Sequence, residues 1–281
     1  MNRASGLRVL AVASTVFSPF FASMAQAVDL SGFDIVGLKI GMPLADARAS
    51  IKARKLPRYA ESKGQLTYMT DAGAFPDVPN GAYTSAITAY TVFRDRTGNI
   101  LQDFDHILLN LTPDPGHERV VRITRRVGFS QQNVVLESVL INGLSAKYGK
   151  PAMVDVMGSH NMAWGPAPVQ GTVFQNCADF RLPEWIADEL ASIPDYVLGN
   201  DGPTIGVNAQ KCSVFMAVRI NTVNPNDPPE RRVVSEYTIS LIGHALRAEA
   251  VKTAAAISAA AKQAQSEGQS ARAKDQKKPE L

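Results

Sequence analysis

The stretch SQQNVVLESVLINGLSAKYGKP, residues 130–151, constrains the fold of this chain most, because one helix can be predicted from it with its start, buried side and end. Its apolar residues recur at about the 3.6-residue period of an α-helix, so they share one side that has to be buried. These residues are Leu136, Leu140, Leu144 and Tyr148, with Val135 and Val139 beside them. Such a helix needs a sheet to pack on, and strand-like segments lie before and after it.

Residue types also mark the ends of this helix. Ser130 can cap the free amides of a first turn, Gly149 tolerates a positive φ just past the last turn, and Pro151 forbids continuation. The predicted helix therefore has about five turns. Gly143 interrupts it, and we interpret this glycine as a point of close packing.

The order of elements predicts an α+β fold made of two tandem modules, each a helix packed on an antiparallel sheet. A short strand over 35–40 and the Gly41-Met42-Pro43 corner lead into a first helix, whose buried residues are Leu44, Ala47 and Ile51 and which ends at Leu56-Pro57. Turn residues separate further strands, predicted at 66–70, 86–93, 107–111 and 120–127, then at 162–164, 171–175, 214–220 and 233–242. The helix ends IKARKLP and LSAKYGKP are alike, which favours an internal duplication.

The first 27 residues have the pattern of a secretory signal peptide. Arg3 and Arg8 precede the apolar run 9–21, and Ala25-Gln26-Ala27 is the small-x-small pattern that signal peptidase recognises. A transmembrane anchor is the alternative, but this run is shorter than the ~20 residues that a spanning helix needs. We expect cleavage near Ala27 and a periplasmic or secreted protein. The predicted units are thus 1–27 (signal peptide), 28–128 and 129–246 (two modules) and 247–281 (tail).

Cys177 and Cys212 are the two cysteines of the chain, and neither belongs to a C-x-x-C pair or a metal-ligand cluster. In an oxidising compartment a structural disulfide is favoured over two free thiols. The loop-closure description assigns such a bond about 4 kcal/mol of stabilisation for a loop of this length.

Charge argues against nucleic acid as a partner. The net charge is +3, but residues 28–246 carry 20 basic and 22 acidic side chains, so the predicted modules are not basic. The densest basic cluster comprises Arg119, Arg122, Arg125 and Arg126, and it alternates with Val121, Ile123 and Val127. This alternation favours a strand with a solvated polar side over an anion site.

The sequence offers few candidates for catalytic or metal-binding residues. His106, His117, His160 and His244 lie far apart, without the spacing of zinc ligands. Ser159-His160 lacks the G-x-S-x-G pattern of hydrolases, and a loop serine and histidine are the favoured interpretation. Asp103 and Asp105, with Asp95, offer carboxylates for a cation but no calcium loop. Trp164 and Trp185 are interpreted as core residues.

The Gly41-Met42 corner before a short helix, together with a helix ending in Tyr148-Gly149-Lys150-Pro151 and followed by strands, resembles BamE, the small outer-membrane lipoprotein of the barrel-assembly machinery, and its relatives. The tandem helix-plus-sheet modules are similar to those of the β-lactamase inhibitor protein. The resemblance implies an α+β fold and a role in binding other proteins. It covers about residues 33–57 and 130–165. The chain departs from it by having no cysteine for lipidation and longer modules.

The tail begins with an Ala-rich segment that favours a helix docked through Leu246, Val251 and Ile257, and its end from Ser266 is expected to be disordered. Its basic residues offer contact with a membrane or cell wall, although a solvated end is favoured. We therefore expect an exported accessory protein that binds another envelope protein, without catalytic activity or cofactor. The alternatives are a small-ligand-binding protein and a hydrolase with a dispersed site.

Overall fold

The computed structural model describes residues 32–91, 103–130, 132–156, 159–165, 177, 212–228 and 230–275. Its helices are α1 (Leu44–Ala53), α2 (Glu137–Tyr148) and a long C-terminal α3 (His244–Asp275). Its strands are β1 (Arg58–Thr67), β2 (Asp77–Tyr90), β3 (Phe104–Leu111), β4 (Val120–Gly128), β5 (Val135–Leu136), β6 (Ala152–Val156), β7 (Ser159–Trp164), β8 (Val214–Thr222) and β9 (Val233–Gly243). The predicted α+β class is confirmed.

The nine strands found in the described residues belong to one antiparallel sheet in the order β1-β2-β3-β4-β9-β8-β7-β6, with the short β5 paired to β9. The two predicted modules are not confirmed as separate units, because β4 pairs with β9 and joins the strands of both halves. Each half nevertheless has the same order, one helix followed by four strands of a meander.

The two halves also close in the same way at the start of each helix. The first residue of α1, Leu44, donates its backbone N–H to the carbonyl of Glu118, just before β4 (3.0 Å). The first residue of α2, Glu137, donates its N–H to the carbonyl of Arg232, just before β9 (2.9 Å). Each helix start is therefore fixed to the start of the last strand of its own half.

Helices α1 and α2 lie on one side of the sheet and bury its apolar residues there. Leu44, Ala47 and Ile51 are buried, which confirms the predicted inner side of α1. They belong to one core cluster with strand residues from both halves, among them Ile87, Ile107, Leu109, Ile123, Met162, Trp164, Met216, Val218, Ile239 and Leu241. A single continuous core of this kind stabilises both halves together.

The predicted start of α2 is wrong, and the predicted end is confirmed. The helix begins at Glu137 and has 12 residues, and Leu136 precedes it without a side-chain cap. Ser130 instead donates its N–H and hydroxyl to the Asp103 carboxylate (2.7 and 2.8 Å). Residues of β5 pair with β9, and this tertiary pairing replaces the first predicted turns. Gly149 ends the helix with φ 83° and ψ −177°, a backbone conformation that essentially only glycine adopts.

The predicted apolar side of α2 is only partly buried. Tyr148 is buried, and Leu140 and Leu144 pack against the core, whereas Val139 is 60% exposed. Gly143 is not a packing point, because a Cβ there would meet no atom within 4 Å.

Near the start of the described chain the predicted strand over 35–40 is a tight turn. Ile35 and Leu38 exchange two backbone hydrogen bonds (3.0 and 3.1 Å), with positive φ at Val36 and Gly37 between them. The predicted strands within β1–β4 and β7–β9 are confirmed with shifted ends, although β1 begins well before residue 66. The strand predicted at 171–175 lies outside the described residues.

Helix α3 crosses the opposite side of the sheet. It contacts β8, β4, β2 and β1, and Lys262 reaches Asp71 beyond the end of β1 (2.8 Å). The distance from His244 to Lys262, about 27 Å at ~1.5 Å per residue, matches about 24 Å across the six strands from β8 to β1. Leu246, Val251 and Ile257 are half-buried, as predicted, but the helix continues to Asp275 beyond its predicted end.

Candidate functional site

A pocket of about 860 Å³ opens between the start of α1, strands β1 and β2, and the turn from β3 to β4. It lies within the N-terminal half of the sheet. Its lining combines a small apolar wall with charged and polar side chains: Pro43, Leu44, Ala45, Arg48, Lys63, Thr84, Asp114, Gly116, His117, Glu118 and Arg119. The size is typical of pockets that bind small molecules, which span roughly 300–1,000 Å³.

Backbone hydrogen bonds hold the two walls of this pocket together. Pro43 and Arg119 form an isolated bridge, and Val120 accepts from Gly41 N–H (2.8 Å) and donates to the carbonyl of Met42 (2.9 Å). In the turn, the N–H of Arg119 donates to the hydroxyl of Thr112 (2.9 Å). Because these bonds join the helix start to β4 directly, the opening is part of the folded frame.

Thr84 forms the floor of the pocket and is only 2% exposed. Its hydroxyl accepts from Lys63 Nζ (2.9 Å) and Arg48 Nη2 (3.3 Å), and its N–H donates to Glu118 Oε1 (3.0 Å). The β1–β2 register shifts here, so that β2 carries one residue more than β1. Such bulges redirect side chains, and this one brings Lys63 and Thr84 to the same place.

The charge of Arg48 is balanced behind the pocket by Glu61. Arg48 Nε and Nη2 donate to the two oxygens of Glu61 (2.8 and 2.7 Å), and the Tyr59 hydroxyl also donates to this carboxylate. Hydrogen bonding from Arg48 lowers the pKa of Glu61 to about 2, although burial opposes this shift. Burial and the bond to Glu61 raise the pKa of Tyr59 to about 12. These three side chains are therefore fixed in one charge state near neutral pH.

Other charged groups of the lining remain available. Within the described part of the chain, the Arg119 guanidinium and the Asp114 carboxylate make no ion pair or side-chain hydrogen bond. The Lys63 side chain is 66% exposed. Its ammonium lies 3.8 Å from Glu61 Oε2 and donates to Thr84, and it can still donate further hydrogen bonds to a ligand. Glu118 uses one oxygen for Thr84. The pocket therefore offers donors and acceptors of both charge signs.

The arginine cluster predicted as a solvated strand side is separated by the fold. Arg125 donates two hydrogen bonds to Asp105 (2.8 and 3.0 Å), which also accepts from Arg54 at the end of α1 (3.1 Å). The side chain of Arg125 is only 21% exposed, so this prediction is wrong for it. The ion pairs of Asp105 with Arg54 and Arg125 join α1, β3 and β4 beneath the helices.

Arg126 lies on the other side of β4, where it donates to Glu236 of β9 (2.5 Å) and is 22% exposed. Arg122 is half-buried, and its Nε donates to the hydroxyl of Thr124 (3.2 Å). Since both sides of the sheet are covered, neither arginine is on a solvated surface. Of the four, Arg119 lines the pocket.

Two of the three aspartates that offered carboxylates for a cation, Asp103 and Asp105, are bound by protein donors. Asp103 accepts from Ser130 and from Asn133 Nδ2 (2.6 Å), and Asp105 is held by arginines. Asp95 lies outside the described residues. Among the residues that the structure describes, no group of three His, Cys, Asp or Glu is placed to hold a metal ion.

The histidines lie in separate surroundings. His106 is buried, and burial together with the nearby Arg126 lowers its pKa to about 4, so it is neutral near pH 7. His244 is also buried, with Nε2 3.1 Å from the carbonyl of Cys177, and His117 is exposed at the pocket. Ser159 and His160 begin β7, where His160 pairs with Asp155, but their side chains lie outside the described part.

The predicted disulfide between Cys177 and Cys212 is present, with both residues buried and their Cα atoms 5.9 Å apart. The core position of Trp164 is confirmed, since it is 1% exposed and donates Nε1–H to the carbonyl of Gly149 (3.0 Å). Trp185 and the predicted signal peptide lie outside the described residues. No helix in the described ranges is long and apolar enough to cross a membrane.

The pocket could not be predicted from the sequence, because its side chains come from four separate segments. Arg48 lies on α1, Lys63 on β1, Thr84 on β2 and Arg119 beside β4. No short motif joins them. A local signal did exist at Gly41 to Pro43, whose corner places the helix start, but nothing in it indicates which strand lies opposite.

Comparison with known proteins assigns the chain to no family. No protein family matches the chain, and neither a curated protein nor a solved structure matches it. The resemblance to BamE and to the β-lactamase inhibitor protein therefore stays a prediction.

Proposed function

We propose that this chain is an exported accessory protein that acts by binding, without a reaction of its own, and that the pocket between α1 and the β3–β4 turn is its recognition site. The pocket carries this proposal, because it combines a ligand-sized volume with convergent polar groups and an apolar wall. Its frame is held by backbone hydrogen bonds, so little ordering is required on binding.

The chemistry of the described lining favours binding over catalysis. The Thr84 hydroxyl accepts hydrogen bonds from two cations, and no base is placed to remove its proton. Arg48 is paired with Glu61, a carboxylate whose low pKa makes it a poor proton acceptor near neutral pH. An exported location is supported by the predicted signal peptide and the buried disulfide.

A thermal-shift screen of the mature protein against envelope metabolites and peptidoglycan fragments tests the proposal. Any ligand found is then measured against Ala45→Trp, which places a large side chain in the pocket from an exposed helix position. Ala53→Trp is the matched control, since Ala53 is exposed on the same helix but does not line the pocket.

We expect at least one ligand that raises the melting temperature and whose affinity falls more than tenfold in Ala45→Trp and not in Ala53→Trp. If no compound in the screen binds, or if a ligand binds both variants with equal affinity, the pocket is not the recognition site. The predicted envelope partner is then sought by crosslinking the mature protein in intact cells, and the Ala45→Trp variant is crosslinked in parallel for comparison.

We further propose that the two halves arose by duplication of a helix-plus-sheet module. The repeated order of elements and the equivalent hydrogen bonds of Leu44 and Glu137 support this origin. Expression of residues 28–128 and 129–246 as separate chains tests whether either module folds alone. Cooperative unfolding of either piece would support independent modules, and unfolded pieces would leave a repeat that is stable only as one sheet.

A further inference from the structure

The charges around the pocket nearly cancel, and this balance restricts the ligand. Glu61 pairs with both Arg48 (2.7 Å) and Lys63 (3.8 Å), and together with Asp114 and Glu118 it balances the three positive charges of Arg48, Lys63 and Arg119. A pocket without net charge has no long-range attraction for a simple anion or cation. It has short-range partners for a molecule that carries both charges.

The available groups have opposite charges and are carried by segments that backbone hydrogen bonds join directly. Arg119 presents a planar guanidinium that suits a carboxylate, and the Lys63 ammonium lies above the Thr84 floor. The Asp114 carboxylate and the second oxygen of Glu118 can accept from an ammonium group. Beside them, Pro43, Leu44 and Ala45 form a wall suited to a small aliphatic group.

We infer that the pocket takes a zwitterion of the amino-acid or short-peptide class, with its carboxylate on Arg119 and Lys63 and its ammonium on Asp114 and Glu118. This inference rests on the proposed function and names the ligand class of that same site. The volume of about 860 Å³ accommodates a short peptide as well as a free amino acid. The two sources share the same chemistry and are separated by the test.

The test uses alanine and L-alanyl-L-alanine as probes, with N-acetyl-dialanine and dialanine amide as analogues that lack one charge each. Binding is followed by amide chemical shifts in the 15N-labelled mature protein. We expect saturable shifts at Ala45, Thr84 and Arg119 with a zwitterionic probe, and at least tenfold weaker binding of both analogues. Tighter binding of dialanine than alanine assigns the pocket to peptides, and the reverse assigns it to free amino acids.

Variants identify which charge meets which end of the probe. Arg119→Gln and Lys63→Met should weaken dialanine and N-acetyl-dialanine while leaving dialanine amide unchanged. Asp114→Asn should weaken dialanine and dialanine amide while leaving N-acetyl-dialanine unchanged. Arg272→Gln, Lys252→Met and Asp77→Asn are controls at exposed positions outside the pocket. Unchanged melting temperatures establish that each variant is folded.

The inference is overturned if neither zwitterion shifts the pocket amides, or if the analogues bind as tightly as dialanine. It is also overturned if the three pocket variants affect all probes equally. A different ligand that binds in the screen and is lost in Ala45→Trp would leave the proposed function standing and remove only the zwitterion.

Discussion

The two halves of the sheet share one backbone arrangement and use it differently. In the N-terminal half, Leu44 begins α1 beside Glu118, and the space next to them opens as the pocket. In the C-terminal half, the corresponding first residue of α2 is Glu137, 1% exposed, and its carboxylate accepts from Arg232 Nη1 (3.2 Å). An ion pair thus occupies the place beside the helix start.

The next turn of each helix shows the same difference, with a polar side chain in α1 and an apolar one in α2. Arg48 lies four residues after the start of α1 and reaches Thr84 and Glu61, whereas Ile141 lies four residues after the start of α2 and packs against the core. The shared backbone arrangement therefore sets where a site can form. A few side chains then decide whether that place becomes a polar opening or a closed part of the core.

The largest expected effect concerns the disulfide, which joins two residues of the C-terminal half. Replacing Cys177 and Cys212 together by Ala should lower the free energy of unfolding by about 4 kcal/mol, because the unfolded chain regains the entropy of its open loop. Urea denaturation measures the loss, with reduced wild-type protein as control. In the double variant, native-state hydrogen exchange should show a larger loss of protection in β8 than in β2. Equal losses in the two strands would mean that the halves unfold as one unit.

The ion pair of the C-terminal half gives the second prediction. Glu137→Ala should destabilise the protein by about 3 kcal/mol, because it leaves the Arg232 guanidinium, whose side chain is 15% exposed, without its carboxylate. The matched change in the N-terminal half, Arg48→Met, breaks a more exposed pair and should cost about 1 kcal/mol or less. Denaturant midpoints compare the two variants, and equal losses would contradict a closed C-terminal site beside an open N-terminal one.

The smallest expected effect is a gain of stability from a substitution within α2. Gly143→Ala should raise the free energy of unfolding by up to about 1 kcal/mol, because the helix interior disfavours glycine and the added methyl group meets open space. Gly149→Ala is the control and should destabilise, since Gly149 has φ 83°. A loss of stability in Gly143→Ala, measured by thermal unfolding, would restore the close-packing interpretation of this glycine.

Much of the secondary structure was predictable because its signals are local. The buried side of α1 followed from Leu44, Ala47 and Ile51, and the end of α2 followed from Gly149. Ser130 is of a residue type that often caps helices, which led to the wrong start of α2. Its hydroxyl instead donates to Asp103, which is distant in the sequence. The strand pairing of β5 with β9 competes with helix there, and no local pattern indicates it.

The candidate site was less predictable than the fold. Arg119 was noticed as part of a basic cluster, but its neighbours in sequence, Arg122 and Arg125, point to other partners once the strand is paired. Arg48, Lys63 and Thr84 had no distinguishing pattern. Their role follows from a bulge and a bridge between segments that meet only in the folded chain.

The amino-acid sequence by itself determined the α+β class, the inner side of α1, the glycine end of α2 and a pair of cysteines able to bond. These features depend on residues within a turn or on alternation along one strand. Only the tertiary structure decided that β4 and β9 join both halves in one sheet, and that one helix start borders a pocket and the other an ion pair. Such outcomes depend on side chains that long-range strand pairing brings together, and local residue patterns do not encode that pairing.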